Sequence, residues 1–242
     1  SPDDIVGFGV SRGELWIFGK RTTEIWYNAG NASGMPLSPR EGAEITVGCG
    51  AAASIVEIDD IIMWIDSRGY VVRSDISPYM RNNNTGGAAK IVSDDAVTSE
   101  ILTYDTFEDA IGMSYSDRGH LMYQVTFISA KKTWVYDTTT GLWHERMYTE
   151  PSYSKSVEHL AKYCVKYRQK FIVADSRSSK LYFMGNEYFD DNDVYIRRIR
   201  TTPILNDEFK LVGIDCLELR MTSGTALSTG QGSNPIVSLR YS

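Results

Sequence analysis

The sequence predicts an all-β protein made of repeated antiparallel hairpins, like the blades of a β-propeller, with one short inserted helix. Short apolar runs rich in β-branched and aromatic residues are joined in pairs by short polar turns. These turns recur at intervals typical of propeller blades. With 42% hydrophobic and 12% aromatic residues and 20 glycines, the composition favours folded β structure over disorder.

Four hairpins carry this prediction. For each hairpin the first strand, the tip and the second strand are given in that order. They are 14–18, 19–22 and 23–27 in the first; 60–65, 66–69 and 70–73 in the second; 120–128, 129–132 and 133–137 in the third; and 170–174, 175–179 and 180–184 in the fourth. The tips begin 47, 63 and 46 residues apart, and blades repeat about every 40–50 residues. Each hairpin is therefore assigned to one blade.

An inserted helix accounts for the long middle interval. Ser93 is the predicted N-cap of a helix over 94–104, because acidic residues fill its first turn and Val97, Ile101 and Tyr104 share one face. The run 61–65 has no polar residue, which predicts a strand covered on both faces. A β-sandwich or barrel is the alternative fold, since it also uses short strands and turns.

The domain organisation changes near residue 186. Residues 4–186 are predicted to form propeller blades, and residues 187–242 a terminal β region that completes or follows the propeller. In the terminal region we expect an acidic turn at 188–193, an exposed basic strand at 194–203, and strands at 209–221 and 234–241. The chain stops directly after an apolar strand, so we expect the natural protein to be longer.

Charge and cysteine content exclude several classes. The net charge of −6 and pI of about 5.2 oppose a free-standing nucleic-acid binder. No apolar run approaches the length of a membrane-spanning helix. Cys49, Cys164 and Cys216 are too far apart for a metal knuckle and too few for a disulfide framework. Cys49 is predicted to be a small buried residue.

Histidines are the first candidates for catalysis. His120, His144 and His159 lie in three different predicted segments, and a pair formed by His144 and Glu145 next to a tryptophan is suited to acid–base chemistry. We favour a structural role for that pair, in the outer strand of a blade. No catalytic residue is predicted.

Acidic and basic clusters offer no stronger site. Asp190, Asp191 and Asp193 resemble the start of a calcium loop but lack the Gly and Glu that such a loop needs, so no metal or cofactor is predicted. Phosphate-loop, nucleophile-elbow and zinc-protease motifs are absent from the sequence. Three basic pairs are interpreted as solvated turns, with contacts to phosphates or acidic partners as the alternative: Lys20-Arg21, Lys131-Lys132 and Arg197-Arg198.

Several segments together resemble a known family. The stretch 13–30, GELWIFGKRTTEIWYNAG, is similar to a signature of the packaged-DNA stabilisation proteins of short-tailed bacteriophages, the tail hub or nozzle subunits. Other similar segments are 40–45, 48–51, 64–73, 133–137 with 141–145, and 234–242. The resemblance spans most of residues 4–242, and its motifs are structural.

The resemblance implies a structural virion protein of the head–tail connector that closes the DNA channel and retains the packaged genome. It implies a hexameric ring, with the portal-adaptor ring and tail needle or tailspike proteins as partners. Packaged DNA would be present only as channel contents, and no membrane insertion is implied. The protein would be made in the host cytoplasm and would have no catalytic residues. An acidic channel wall would let DNA slide, because phosphate contacts drive affinity.

Two other functions stay open at this point. A carbohydrate-binding or carbohydrate-cleaving propeller would need two carboxylates in one aromatic-walled pocket. The available carboxylates are Glu24, Glu57, Asp59 and Asp60, whose spacing is not distinctive. The other class is a kelch-like scaffold of cellular origin, which the family-like segments make less favourable.

Overall fold

The computed structural model describes residues 3–31, 33–75, 88–151, 155–175, 177–185 and 187–201, with residues 213, 216, 218 and 237–239. The chain divides into two compact units, Ser1–Gly185 and Asn186–Ser242. The first unit holds a series of antiparallel sheets that follow one another along the chain. The predicted assignment of residues 4–186 and 187–242 to blades and a terminal region stays a prediction.

Each large sheet is a meander in which consecutive strands pair. The first sheet contains β1 (Ile5–Ser11), β2 (Glu14–Gly19), β3 (Thr23–Asn28) and β4 (Leu37–Pro39). The second contains β5 (Val56–Ile58), β6 (Ile61–Ile65), β7 (Val71–Asp75) and β8 (Ala88–Ile91). The third contains β9 (Ala110–Asp117), β10 (His120–Phe127), β11 (Lys132–Asp137) and β12 (Leu142–Glu145). The fourth contains β15 (Ala161–Tyr167), β16 (Lys170–Asp175) and β17 (Leu181–Met184).

The predicted all-β fold of repeated hairpins is therefore confirmed. The four predicted hairpins correspond to β2–β3, β6–β7, β10–β11 and β16–β17. Each forms the second and third strands of its sheet. The prediction omitted the first strands β1, β5, β9 and β15.

Consecutive sheets pack face to face, as blades do in a propeller. Trp16 and Phe18 of the first sheet share a core with Trp64 of the second. A larger core joins Met63 and Ile65 with third-sheet residues Tyr123, Val125 and Phe127. A smaller core joins Met113 and Tyr115 of the third sheet with Ala161 and Val173 of the fourth. Each internal interface is thus filled by side chains from two neighbours.

Strand β6 contributes to two of these cores. Ile62 and Trp64 belong to the core shared with the first sheet, whereas Met63 and Ile65 belong to the core shared with the third. Successive side chains on a strand point to opposite faces, so this apolar run covers two neighbours at once. The prediction of a strand buried on both faces is confirmed.

The first strands of neighbouring sheets lie side by side and run in the same direction. The Ser11 hydroxyl donates to the Asp60 carbonyl oxygen at 2.8 Å, next to the turns that follow β1 and β5. The Ser114 hydroxyl donates to the Glu57 carbonyl oxygen at 3.3 Å. A Cβ on Gly112 would lie 2.8 Å from the Ser54 carbonyl oxygen, so this close approach requires glycine.

Helix α1 (Asp95–Ile101) follows the last strand of the second sheet and precedes the first strand of the third along the chain. It packs Val97 and Ile101 into the core that these two sheets share. The predicted helix is confirmed, but its N-cap is Asp94, not Ser93. The Asp94 carboxylate accepts the Val97 backbone N–H at 2.8 Å. Ser93 instead accepts the Val71 N–H, which ties the helix start to β7.

Shorter elements complete the described structure. A 3₁₀ turn covers Ala52–Ser54, β13 (Met147–Thr149) pairs with β14 (Ser156–Glu158), and β18 (Asp190–Asp191) pairs with β19 (Val194–Tyr195). The acidic turn is therefore the turn of a small hairpin. The strand predicted at 194–203 is wrong beyond residue 195, because 196–201 has no strand. Most of the predicted strands at 209–221 and 234–241 lies outside the described residues.

Candidate assembly surfaces

The fourth sheet has one covered face and one open face. Cross-strand pairing places alternate side chains of β15, β16 and β17 together on the face turned away from the third sheet. The open face consists of Tyr163, Val165, Tyr167, Ile172, Leu181 and Phe183. Leu181 is 70% exposed and Val165 60% exposed. An exposed apolar sheet face of this kind is a candidate surface for association.

The first sheet has an open apolar face at the other end of the series. Phe8 and Val10 of β1 pair with Ile17 and Leu15 of β2, and these four residues share the face opposite Trp16 and Phe18. Phe8 and Val10 are both more than half exposed. The series of sheets thus carries an open apolar face at each end, and both faces are candidate assembly surfaces.

Two-residue turns join the first and second strands of all four sheets. The turn residues are Arg12-Gly13, Asp59-Asp60, Arg118-Gly119 and Arg168-Gln169, which we name the first-turn row. The leading residue of each turn has a positive φ, between 44° and 55°. Sequence analysis missed this row, although the Arg-Gly pairs between strand-like segments were a usable signal for tight hairpin turns.

Two of the predicted basic pairs, Lys20-Arg21 and Lys131-Lys132, lie at the opposite ends of their sheets, where the second and third strands meet, and carboxylates pair with some of their cations. Lys20 Nζ lies 3.2 Å from Asp4. Lys132 belongs to β11 rather than to a tip, and its ammonium lies 2.8 Å from Glu145. The hydrogen bond to Glu145 raises the pKa of Lys132. Arg197 and Arg198 are exposed residues of the second unit.

His120 and Asp137 are in contact at the start of the turn that follows β11. His120 Nδ1 lies 2.8 Å from Asp137 Oδ2, and the Thr140 hydroxyl donates to the same oxygen. Burial alone would raise the pKa of Asp137, but hydrogen bonds led by that of Thr140 outweigh it and lower the pKa to about 2. The carboxylate also accepts the Thr139 N–H, so it serves to hold the turn.

His144 and Glu145 occupy β12, the outer strand of the third sheet, as predicted. Glu145 pairs with Lys132. Burial, with a smaller contribution from Arg146, lowers the pKa of His144. Strand neighbours point to opposite faces, so these two side chains do not form one acid–base pair.

His159 lies at a buried junction that precedes β15. Its backbone N–H donates to the Thr133 hydroxyl, and its Nδ1 accepts the Ala161 N–H at 3.2 Å. Burial lowers the pKa of His159 to about 3. Beside it, buried Glu158 pairs with buried Lys162 at 3.4 Å and with Arg177 at 2.6 Å. These charges tie β14, β15 and the tip after β16 together.

The carboxylates considered for sugar cleavage lie on different elements. Glu24 on β3 accepts the Trp26 indole N–H at 3.0 Å. Glu57 is an exposed residue of β5. Asp59 and Asp60 form an exposed turn, in which Asp60 lies 3.5 Å from Arg12. Glu24 and Asp60 therefore each make a structural contact.

Among the described residues, no group of three or more His, Cys, Asp or Glu side chains is arranged to hold a metal ion. In the same part of the chain, no helix has the length and apolar character needed to cross a bilayer. Cys49 is buried as predicted, and burial raises the pKa of its thiol to about 11.

A family model described as "Bacteriophage P22 Gp10, β-propeller" matches residues 1–188, which include all four large sheets. The chain belongs to this family. The predicted family resemblance is thereby confirmed, and P22 Gp10 family membership agrees with the observed series of antiparallel sheets. No curated protein matches the chain. The protein is a member of a family of structural bacteriophage proteins found in the virion.

Proposed function

We propose that this protein is a subunit of the bacteriophage tail hub or nozzle that closes the DNA channel and retains the packaged genome. The observation that carries the proposal is the P22 Gp10 family match across the four large sheets. The proposal assigns no catalytic step to the protein. It is made in the host cytoplasm and incorporated into the virion.

Ring assembly is part of the proposal. The subunit joins copies of itself, hexameric by family resemblance, and contacts the portal-adaptor ring and the tail needle or tailspike. The open apolar faces of the first and fourth sheets support an assembling protein, because contiguous exposed apolar residues are typical of association surfaces. A chain that joins unlike neighbours can stay monomeric until they are present.

Reconstitution of phage particles tests this function. Particles assembled without the protein should package DNA and then lose it, and adding the full-length protein should restore retention, measured as nuclease-resistant DNA. Electron microscopy should place the added protein below the adaptor ring. Particles that retain their genomes without it, or a protein that binds elsewhere on the virion, would contradict the proposal.

A further inference from the structure

The four turns of the first-turn row lie along the same edge of the series of sheets, one turn on each sheet. Ser11 contacts Asp60 beside the first two turns, and Ser114 contacts Glu57 two residues before the second turn. On the third and fourth sheets, the rings of Tyr115 and Phe171 lie 6.4 Å apart, both close to their turns. Neighbouring first strands are therefore parallel, and their turns face the same side.

Arginine leads three of these four turns. Arg12, Arg118 and Arg168 have φ values of 52°, 48° and 55° and are exposed. Tight hairpin turns with a positive φ favour Asn, Asp or Gly at this position. Backbone conformation therefore does not account for arginine at three equivalent places.

The fourth-sheet turn carries the most positive charge of the row, and the third-sheet turn adds Arg118. Arg12 lies 3.5 Å from Asp60, whereas Arg118 and Arg168 form no salt bridge with any carboxylate among the described residues. Lys166 and Lys170 flank Arg168 on β15 and β16. Asp117 precedes Arg118 and is the nearest acidic residue in sequence. The fourth-sheet turn has no acidic residue between Glu158 and Asp175.

Aromatic rings hold these fourth-sheet cations at the surface. The Arg168 guanidinium lies 5.3 Å from the Tyr167 ring centre, and the Lys170 ammonium lies 5.0 Å from that of Phe183. Cation–π contact orients such groups without neutralising their charge. At the opposite ends of the sheets, by contrast, Lys20 and Lys132 are paired with carboxylates.

We propose that the first-turn row of the third and fourth sheets, led by Arg118 and Arg168, binds the phosphate backbone of double-stranded DNA. The proposal rests on the proposed channel function. Packed sheets lie about 10 Å apart, so guanidinium groups on neighbouring turns can reach phosphates a few base steps apart. A few such contacts hold DNA weakly and without sequence preference, which suits a duplex that must later leave.

The test compares two variants of equal charge. Arg118→Asn with Arg168→Asn removes the two guanidinium groups while keeping residues that tolerate a positive φ. The matched control, Arg21→Asn with Lys131→Asn, removes two exposed cations at the opposite sheet ends, one of them also at a positive φ of 55°. Circular dichroism and thermal unfolding establish that both variants fold.

Binding is measured by fluorescence anisotropy with a labelled duplex of about 30 base pairs across about 50–200 mM salt. We expect the Arg118/Arg168 variant to lose about tenfold or more in affinity at low salt, and the slope of log K against log salt to fall by about two. The control should stay within about twofold of the wild type. Equal losses in both variants, or no salt-dependent binding by the wild type, would overturn the proposal.

A second arm distinguishes DNA from an acidic protein surface. Poly-glutamate of matched charge should compete weakly for the row, and stronger binding of this polymer than of DNA would overturn the assignment. The DNA-binding assay is read separately from the test of the proposed function, which measures genome retention and the position of the protein in the particle. A wild-type chain that binds DNA through this row but does not restore retention refutes only the channel role.

Discussion

Trp16 and Trp64 are both fully buried between the first two sheets, yet they differ in one hydrogen bond. The Trp64 indole N–H donates to the Gly48 carbonyl oxygen at 3.0 Å. The Trp16 indole N–H has no hydrogen-bond partner among the described residues. The two residues occupy the second strands of neighbouring sheets, so the same substitution can be compared at two equivalent positions.

Replacing each tryptophan by phenylalanine separates packing from hydrogen bonding. Trp64→Phe should lower the free energy of unfolding by about 1–2 kcal/mol more than Trp16→Phe, because it leaves the buried Gly48 carbonyl oxygen without its hydrogen-bond donor. Both variants lose similar ring volume. Urea unfolding followed by circular dichroism measures the difference, and equal losses would show that the indole hydrogen bond contributes nothing.

His159 should make stability sensitive to mild acid. Burial holds its pKa at about 3 in the folded state, whereas an unfolded histidine titrates near 6.5. Between these values the unfolded chain binds more protons, so the free energy of unfolding falls as the pH falls. From pH 6.5 to 5 the expected loss is about 1.6 kcal/mol.

The measurement is urea unfolding at several pH values for the wild type and for His159→Asn. Asparagine can still accept the Ala161 N–H but does not titrate, so the variant should lose most of the pH dependence in this window. His144, whose pKa is also lowered by burial, should leave a residual slope of the same sign in the variant. Asp137 and Glu158, whose pKa values are lowered, contribute mainly at more acidic pH. An unchanged slope in the variant would refute the assignment to His159.

Buried Glu158 and Lys162 should be strongly coupled. Glu158→Gln leaves the Lys162 ammonium, which is 2% exposed, without its carboxylate, and should cost about 3 kcal/mol or more. Adding Lys162→Met removes the buried charge and should recover part of that loss. Urea unfolding of both single variants and the double variant completes the cycle, and additive losses would exclude coupling.

The open face of the fourth sheet should be important for association and not for folding. Leu181→Ser, at a residue 70% exposed, should change the free energy of unfolding by less than about 0.5 kcal/mol while reducing self-association. Val173→Ser, on the covered face of the same sheet, should cost about 2 kcal/mol or more. Urea unfolding and sedimentation velocity measure both effects. Equal destabilisation by the two changes would contradict an open face.

The sequence predicts a central strand such as β6 well because apolar residues occupy both of its faces. Ile61–Ile65 is apolar throughout, and periodicity alone identifies it. Strand β1 was missed because Gly7 and Gly9 interrupt its apolar pattern. A Cβ at Gly7 would lie 2.7 Å from the Cδ1 methyl group of Ile55, just before β5. Glycine thus eases a close approach between sheets, but in the sequence it resembles a turn signal.

The candidate surfaces were less accessible to sequence reasoning. Lys20 is exposed, as its interpretation as a solvated tip requires, but its pairing with Asp4, 16 residues away, depends on strand register and could not be predicted. The open faces cannot be recognised from β15 or β17 alone, since the same apolar residues would suit a covered face. Alignment of the first-turn row likewise follows only from the parallel packing of first strands.

The meander topology has a consequence for synthesis. Each of the four large sheets is formed from one continuous stretch of chain, and the second, third and fourth each pack on the large sheet that precedes them. Local pairing forms quickly, and domains emerge from the ribosome N-terminal end first. Each sheet can therefore fold soon after translation and cover the apolar face of its predecessor. The nascent chain then exposes the open apolar faces of only its first and its most recently formed sheet. This limits the time during which the other apolar faces could associate with wrong partners.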